Sequence, residues 1–581
     1  MQNGLTTLWN LFDGSRIIKV PNYQRAYSWS TKNLKEFTND IANQSFFVNK
    51  KYFMGTLLLQ RDQKEGNYEK YLIVDGQQRL TTVVMYINIL LKKLKNSEND
   101  YIEEYEAFIK KRDTIKFQTI NSDSSFFSDY ILSDNEVISF DTSSQKRLLH
   151  AKAYFEKYLA PYTRDELLRH LETIKNTNVL IYTVENSAEA TLIFETTNDR
   201  GKKLTDLESL KSFFMHKAYL SSGEPESVIH DIEGHFEVIY REYEKIENLV
   251  DEDDILRYFY IAEWNWSNKK QYQNVKESIK KDFNRLLNNG QKDKCLDLIK
   301  TKVRILKEYF VKMRILLNNE IELSYIDDLV AIGRIATFYP ILLKSFVHKP
   351  KVDQNIEEQN FEYYKKVVHL CEIFAFKGYG LANKRADTGL PDFYKFARDF
   401  DTDYVELIKW LKELLSRWNI PKRYQETLNS PYFYDEGSDA RYLLWKYENF
   451  LRKQAGYTLL SAKDYMNRKG RTAFSIEHIA AQKGEEVKKC LLEIKVDEDY
   501  VENYLHSIGN LAIDPLSSNV QKSNLSFENK QYKYFSKAPL MSHNELEEIA
   551  QKHDGWNADA IKERAVKLIK FAEENWDENK I

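Results

Sequence analysis

No proline interrupts the chain between Pro225 and Pro340, and through that stretch Leu, Ile, Tyr and Phe recur at three- and four-residue spacing. A backbone whose amides are all free to donate, with apolar residues on one face of a 3.6-residue repeat, packs as helices. This texture runs from about residue 221 to about 432, without a fixed-period repeat. It separates two regions that read differently. At roughly 100–200 residues per domain, 581 residues supply several buried cores. The expected fold class is a multidomain α+β protein, mostly helical, divided at 1–220, 221–432 and 433–581.

Charge and composition narrow the function. Lys and Arg number 85 against 88 Asp and Glu, so a basic chromatin-like protein and an acidic disordered tail are both excluded. Contact with nucleic acid must come from local basic patches. The 38 Tyr and 32 Phe speak for folded cores. Cys295, Cys371 and Cys490 form no CxxC spacing, so neither a thiolate zinc site nor a disulfide framework is expected, and a reducing cytoplasm fits. Met1 to Arg16 holds no basic stretch followed by an apolar run, so no secretory signal is expected. Leu329 to Val347 is the most membrane-like window, but Arg334 and Lys344 interrupt it, and it reads as a buried helix.

In the first region helical and strand patterns alternate, which reads as α/β or α+β. Tyr52–Gln60 and Glu69–Val74 have strand composition and are joined by the polar loop RDQKEGN, so a hairpin is expected. Asp75-Gly76-Gln77-Gln78-Arg79 follows, and Leu80–Lys95 then has helical spacing. Another strand is expected at Asn178–Val184, then a helix through Ala188–Thr196, the loop NDRGKK, and a helix opened by a Thr205/Glu208 capping box. The strand–DGQQR–helix turn suits an anion: Gly76 permits positive φ, first-turn amides point outward, and Arg79 offers a guanidinium fork. There is no GxxxxGK[ST] Walker sequence. A capped turn explains the same residues, and Asp75 is either a turn residue or a group handling metal or water. Tyr23, Tyr27 and Trp29 are likewise either a groove for a base or part of a core.

In the last region a helix is expected around Arg441–Lys453, then an apolar strand ending in an acid–histidine pair, Phe474-Ser475-Ile476-Glu477-His478-Ile479. Ile508-Gly509-Asn510-Leu511 comes next, then Asn519. This order and spacing suit a ββα-metal nuclease finger. There a histidine takes a proton from water, one asparagine pins the loop that orients it, and a helix-borne asparagine ligates a hard divalent ion such as Mg²⁺ or Mn²⁺. His506 is a further candidate for the same site. The basic residues Arg468, Lys469 and Arg471 just before the strand would meet DNA phosphates or form a solvated loop.

With EHI, GNL and NVQKSNLSFENK in this order, the last region resembles the HNH nucleases, and specifically the C-terminal domain of GmrSD-type, modification-dependent (type IV) restriction endonucleases. Where that family often has Pro before the Gln that follows EHI, Ala481 precedes Gln482 here. The resemblance implies His478 as general base, Asn510 as the structural asparagine, Asn519 as a metal ligand, and Glu477 as a ligand or its support. It also implies that Asn524 and Lys530 support the site or contact phosphate. The N-terminal series VPNYQRAYSW, FMGTL, DGQQR and FETTNDRG is similar to the N-terminal domain of the same family, which has a ParB/sulfiredoxin-like α/β fold. That implies binding and hydrolysis of a nucleoside triphosphate at Asp75, Gly76, Gln77, Gln78 and Arg79, with Gln24 and Arg25 beside them and Asn198 and Arg200 as further members.

The expectation is therefore a nucleotide-regulated, metal-dependent endonuclease of a prokaryotic cytoplasm. Its partners would be a nucleotide and double-stranded phage DNA carrying modified bases, with no membrane. A homodimer would allow two single-site chains to cut both strands. The alternatives are a nuclease that senses backbone-modified, phosphorothioate DNA, and a nucleotide-dependent DNA sensor that does not cut.

Overall fold

The computed structural model describes residues 3–46, 52–95, 100–133, 135–136, 139–187, 189–190, 193, 205–318, 324–348, 354–466, 473–480, 502–522, 525–535 and 540–581. The chain forms two compact units, Met1–Tyr260 with Trp266–Asn318, and Ile261–Asn265 with Asn319–Ile581.

The first unit is built on a six-stranded mixed sheet. Its strands are β1 (Gly4–Thr7), β2 (Arg16–Lys19), β3 (Phe53–Arg61), β4 (Glu69–Asp75), β7 (Phe117–Gln118) and β8 (Asn178–Val184); β5 (Lys110–Lys111) and β6 (Thr114–Ile115) form a separate small hairpin. The order is β1-β8-β3-β4-β2-β7. The expected hairpin is β3–β4, antiparallel, while the strand expected at Asn178–Val184 pairs in parallel with β3. Central strands buried on both faces read as near-continuous apolar runs, as LLL and LIV do here. The helix Gln77–Leu94 leaves β4 and is buried along most of its length, packing on the helices Ser143–Leu159 and Arg164–Lys175.

Thr205 opens the helix Asp206–Ser221 with the expected capping box: its amide donates to Glu208 Oε2 at 3.0 Å, and the Glu208 amide to Thr205 Oγ1 at 3.2 Å. The helices Pro225–Glu244 and Lys292–Leu317 pack on it, and Phe213 and Phe214 meet Phe283 edge-on. The helical stretch after residue 221 is thus shared between the two units. The helix expected through Ala188–Thr196 lies largely outside the described residues, as do Asn198, Arg200, Arg468, Lys469, Arg471 and Asn524.

In the second unit Phe374, Phe393 and Trp418 form an edge-on ring cluster with centroids 4.8 and 5.0 Å apart from Phe374. The buried helix expected over Leu329–Val347 is two helices, Ser324–Ile332 and Tyr339–Val347. Gly333 with φ 75° ends the first, and Pro340 opens the second, where its missing N–H costs nothing. Among the described residues no helix is long and apolar enough to cross a membrane. Near the end of the chain β9 (Phe474–His478) and β10 (Leu511–Pro515) form an antiparallel hairpin. The helices Ser438–Gln454 and Ala558–Asn575 brace it, with Arg441 donating to the Phe474 carbonyl at 3.0 Å and Arg564 to the carbonyls of Gly509 and Leu511 at 2.9 and 2.6 Å.

Gly76 turns β4 into its helix at φ 98°, and a Cβ there would collide with Leu57. Gly76→Ala is expected to lower the free energy of unfolding by about 2 kcal/mol or more, from the left-handed backbone plus the clash. Gly223→Ala, with open space around it, should be near neutral. Urea unfolding of both variants checks this.

Candidate functional site

The DGQQR turn and the loop before it are bonded to one another residue by residue. Gln24 Nε2 donates to the Val74 carbonyl at 2.9 Å, and Gln77 Nε2 to the Arg25 carbonyl at 3.2 Å. Gln78 makes two bonds, Nε2 to the Ala26 carbonyl at 3.0 Å and Oε1 from the Ser28 amide at 2.9 Å. These side-chain amides act as a stand-in strand partner for a loop that lacks one. Arg79, expected to fork onto phosphate, donates instead to the Met54 and Thr56 carbonyls, each at 2.8 Å, and pairs with Asp75 at 3.3 Å. Gly55 carries a positive φ, and a Cβ there would strike the same guanidinium. Asp75 is pushed up by burial, offset in part by Arg79 and the Gly76 amide.

Of the N-terminal candidates, Arg25 keeps a half-open guanidinium. It lies 3.8 Å from the buried Glu252 and lines a cleft with Gln77 and Gln78. Tyr23 and Tyr27 are buried, Tyr27 bonding Thr82 at 2.9 Å, and Trp29 packs near Phe37, so this aromatic cluster is core. Lys211 belongs to no motif. It is buried against the rings of Tyr23 and Tyr240, donates to the Tyr23 carbonyl at 3.1 Å, and is pushed down to about 8 by burial.

In the C-terminal hairpin, cross-strand partners share a face. Ser475 and Glu477 pair with Asp514 and Ala512, while Ile476 and His478 pair with Ile513 and Leu511. His478 therefore projects opposite Glu477. Its Nε2 meets His506 Nδ1 at 3.0 Å, and the Tyr434 ring lies 4.5 Å away, centroid to centroid. Burial, then the neighbouring His506 and Lys530, push His478 down to about 3, so its imidazole is neutral at pH 7.

Asn510 pins the chain just past His478. It is fully buried; its Oδ1 accepts from the Ala480 amide and from Trp556 Nε1, both at 3.0 Å, and its Nδ2 donates to the Leu505 carbonyl at 2.8 Å. The glycine before it is as constrained, since a Cβ on Gly509 would run into the backbone of Ile561.

The Glu477 face is a buried charge lattice. Lys530, 1% exposed, pairs with Glu477 Oε1 at 2.7 Å and donates to the His478 carbonyl at 2.6 Å; Lys522 pairs with Asp514 at 2.8 Å. Lys530, expected to support the site or contact phosphate, is turned inward with its ammonium buried. Asp514 and Lys522, on the strand and helix that follow GNL, are members that motif reading alone did not single out.

Asn519 approaches this same face, its Nδ2 donating to Ser475 Oγ and the Ile476 carbonyl, both at 2.9 Å. A divalent ion at Glu477 would have to displace Lys530, and among the described residues no three His, Cys, Asp or Glu side chains converge as a metal group. The residues as arranged do not fit a metal.

Residues 8–215 match the N-terminal domain of the GmrSD restriction endonuclease, and residues 420–571 match the C-terminal domain of GmrSD restriction endonucleases. The chain belongs to the GmrSD restriction endonuclease family. The two matches together span more than half of it and contain both clusters described above. No curated protein matches the chain.

Asn510→Ala would leave the Ala480 and Trp556 N–H groups buried without an acceptor. At ~1–3 kcal/mol for each orphaned group, the second unit is expected to lose about 2–6 kcal/mol of stability. Urea unfolding followed by tryptophan fluorescence checks this, with Asn510→Asp, which keeps an acceptor, losing less.

Proposed function

We propose that this chain is a nucleotide-regulated DNA endonuclease that restricts foreign DNA carrying modified bases. The N-terminal unit would have a ParB/sulfiredoxin-like nucleotide-binding fold and the C-terminal hairpin and helix an HNH fold. The observation that carries the reading is the neutral His478, held beside His506 at the end of a strand that Asn510 locks in place, within a GmrSD C-terminal match. In the proposed reaction water attacks a DNA phosphorus, an O–P bond forms and the bond to one sugar oxygen breaks, that oxygen leaving as a hydroxyl with a proton taken from solvent. The proton leaving the water passes to His478, with the less buried His506 as its link to solvent. The imidazole is unprotonated at neutral pH, as a proton acceptor must be, and burial makes it a weaker base than a free histidine. No step here runs through a metal; EDTA in the same assay reads the divalent-ion dependence that the resemblance implies.

The nucleotide is assigned to the cleft beside Arg25 and the start of the helix Gln77–Leu94. The helix start there has no side-chain cap on its first-turn amides, and Arg25 offers a cation. Arg79 clamps β3 and acts on this site through the strand. One observation favours the non-cutting sensor as a second reading: Glu477 is held by Lys530. Cleavage by wild type, absent in His478→Ala, decides against it. A substrate panel of unmodified, base-modified and phosphorothioate DNA separates the possible marks.

Because folding lowers His478 from its ordinary range near 6.5 to about 3, the base stays unprotonated well below neutrality. Plasmid nicking is therefore expected to hold its rate from pH 8 to about pH 5. A fall centred near pH 6.5 would mean a solvent-exposed imidazole and would overturn the assignment. Arg25→Lys, which keeps a charge facing Glu252 but loses the planar fork, is expected to weaken binding of a fluorescent nucleoside triphosphate about tenfold. Equal affinity would remove Arg25 from the site.

A further inference from the structure

Beside the histidine pair the chain turns two tyrosines outward. Phe433, fully buried, anchors the 3₁₀ turn Phe433–Glu436, and the residues on either side of it stay out: Tyr432 is 49% exposed and Tyr434 38%. Main-chain bonds fix the turn. The Tyr432 amide donates to Ser430 Oγ at 3.1 Å, the Asp435 amide to the Tyr432 carbonyl at 3.0 Å, and the Tyr434 amide to the His506 carbonyl at 3.0 Å. Among the described residues neither phenol hydroxyl has a hydrogen-bond partner. What the turn presents is therefore the rings themselves.

These rings are continuous with the His478 site. Tyr434 lies 4.5 Å from the His478 ring and 5.8 Å from that of His506, centroid to centroid; Tyr432 lies 6.5 Å from His506, with the two planes 23° apart. A planar side chain that is half covered offers its free surface to another planar group, and every nucleobase has a π-face. The same turn carries Asp435 and Glu436, which repel a phosphate, so the group that settles on the tyrosines is a base and not the DNA backbone. In an intact duplex both faces of a base are covered by its neighbours, so the base that reaches them is unpaired or turned out of the stack.

We propose that Tyr432, with Tyr434 beside it, is a stacking platform for one unstacked nucleobase next to the phosphate that His478 serves. Unstacking costs least where a base already lacks a partner, so the favoured substrate is a duplex opened at the cut by an unpaired base. The inference rests on the endonuclease reading and adds the form of DNA that the site takes.

The test is fluorescence anisotropy of the full chain in EDTA with three labelled duplexes of one sequence: fully paired, with one unpaired adenine, and with an abasic residue in place of that adenine. Wild type is expected to bind the unpaired-base duplex about tenfold tighter than either of the others. Tyr432→Leu, which keeps apolar bulk, is expected to lose that preference at an unchanged circular dichroism spectrum. Tyr432→Phe, which drops only the unbonded hydroxyl, retains it, as does Tyr219→Leu at a comparably exposed tyrosine of the first unit. Should Tyr432→Leu fail to fold, Tyr432→Gln decides by the same loss. Equal affinity of wild type for the three duplexes, or a preference that survives in the folded variant, would overturn the proposal. Plasmid nicking is read separately with Mg²⁺. A chain that cuts without a Tyr432-dependent preference fails this inference alone, and one that holds the unpaired base through Tyr432 but never cuts fails only the endonuclease reading.

Discussion

A main-chain amide or carbonyl taken from water needs a partner, and where no strand or helix supplies one a side-chain amide can. Both motif-bearing ends of this chain rest on that exchange. In the first unit Gln24, Gln77 and Gln78 bond the main chain of Val74 and residues 25–28. In the second, Asn510 serves the Ala480 amide, the Leu505 carbonyl and the Trp556 indole at once. Side chains used this way are fixed by three or four geometric requirements together, so each sets the conformation of a loop at small cost in chain length.

The two ends use charge differently. Around the DGQQR turn the charges are partly exposed: Arg79 pairs with Asp75, and Arg25 lies beside the buried Glu252. Around the hairpin they are sealed in, with Glu477 on Lys530 and Asp514 on Lys522, all four nearly without solvent. Buried pairs contribute little net stability, but removing one partner is severe. That asymmetry makes the lattice a device for position more than for strength: it holds the strand carrying His478 from behind, while the imidazole looks the other way.

Much of this was legible in the residues because it is local. The hairpin β3–β4, the strand at Asn178–Val184, the Thr205/Glu208 box and the strand carrying EHI are set by period-two alternation and capping spacing, which a few consecutive residues contain. Side-chain destinations were not legible, since they depend on partners far along the chain. Arg79 has the chemistry of a phosphate ligand, and what turns it inward is a pair of carbonyls more than twenty residues earlier. Lys530 looks like a surface cation until the helix that bears it is laid against the hairpin.

The alternation of β9 has a consequence for how the chain tolerates change. Neighbouring residues Glu477 and His478 occupy opposite worlds, one among ammonium groups and one among aromatic rings. Sliding the strand by a single position would bury a carboxylate among the rings and set an imidazole beside two lysines. Insertions or deletions of one residue between Ala473 and His478 are therefore far more damaging than most substitutions there, because the length of this segment decides which environment each side chain meets.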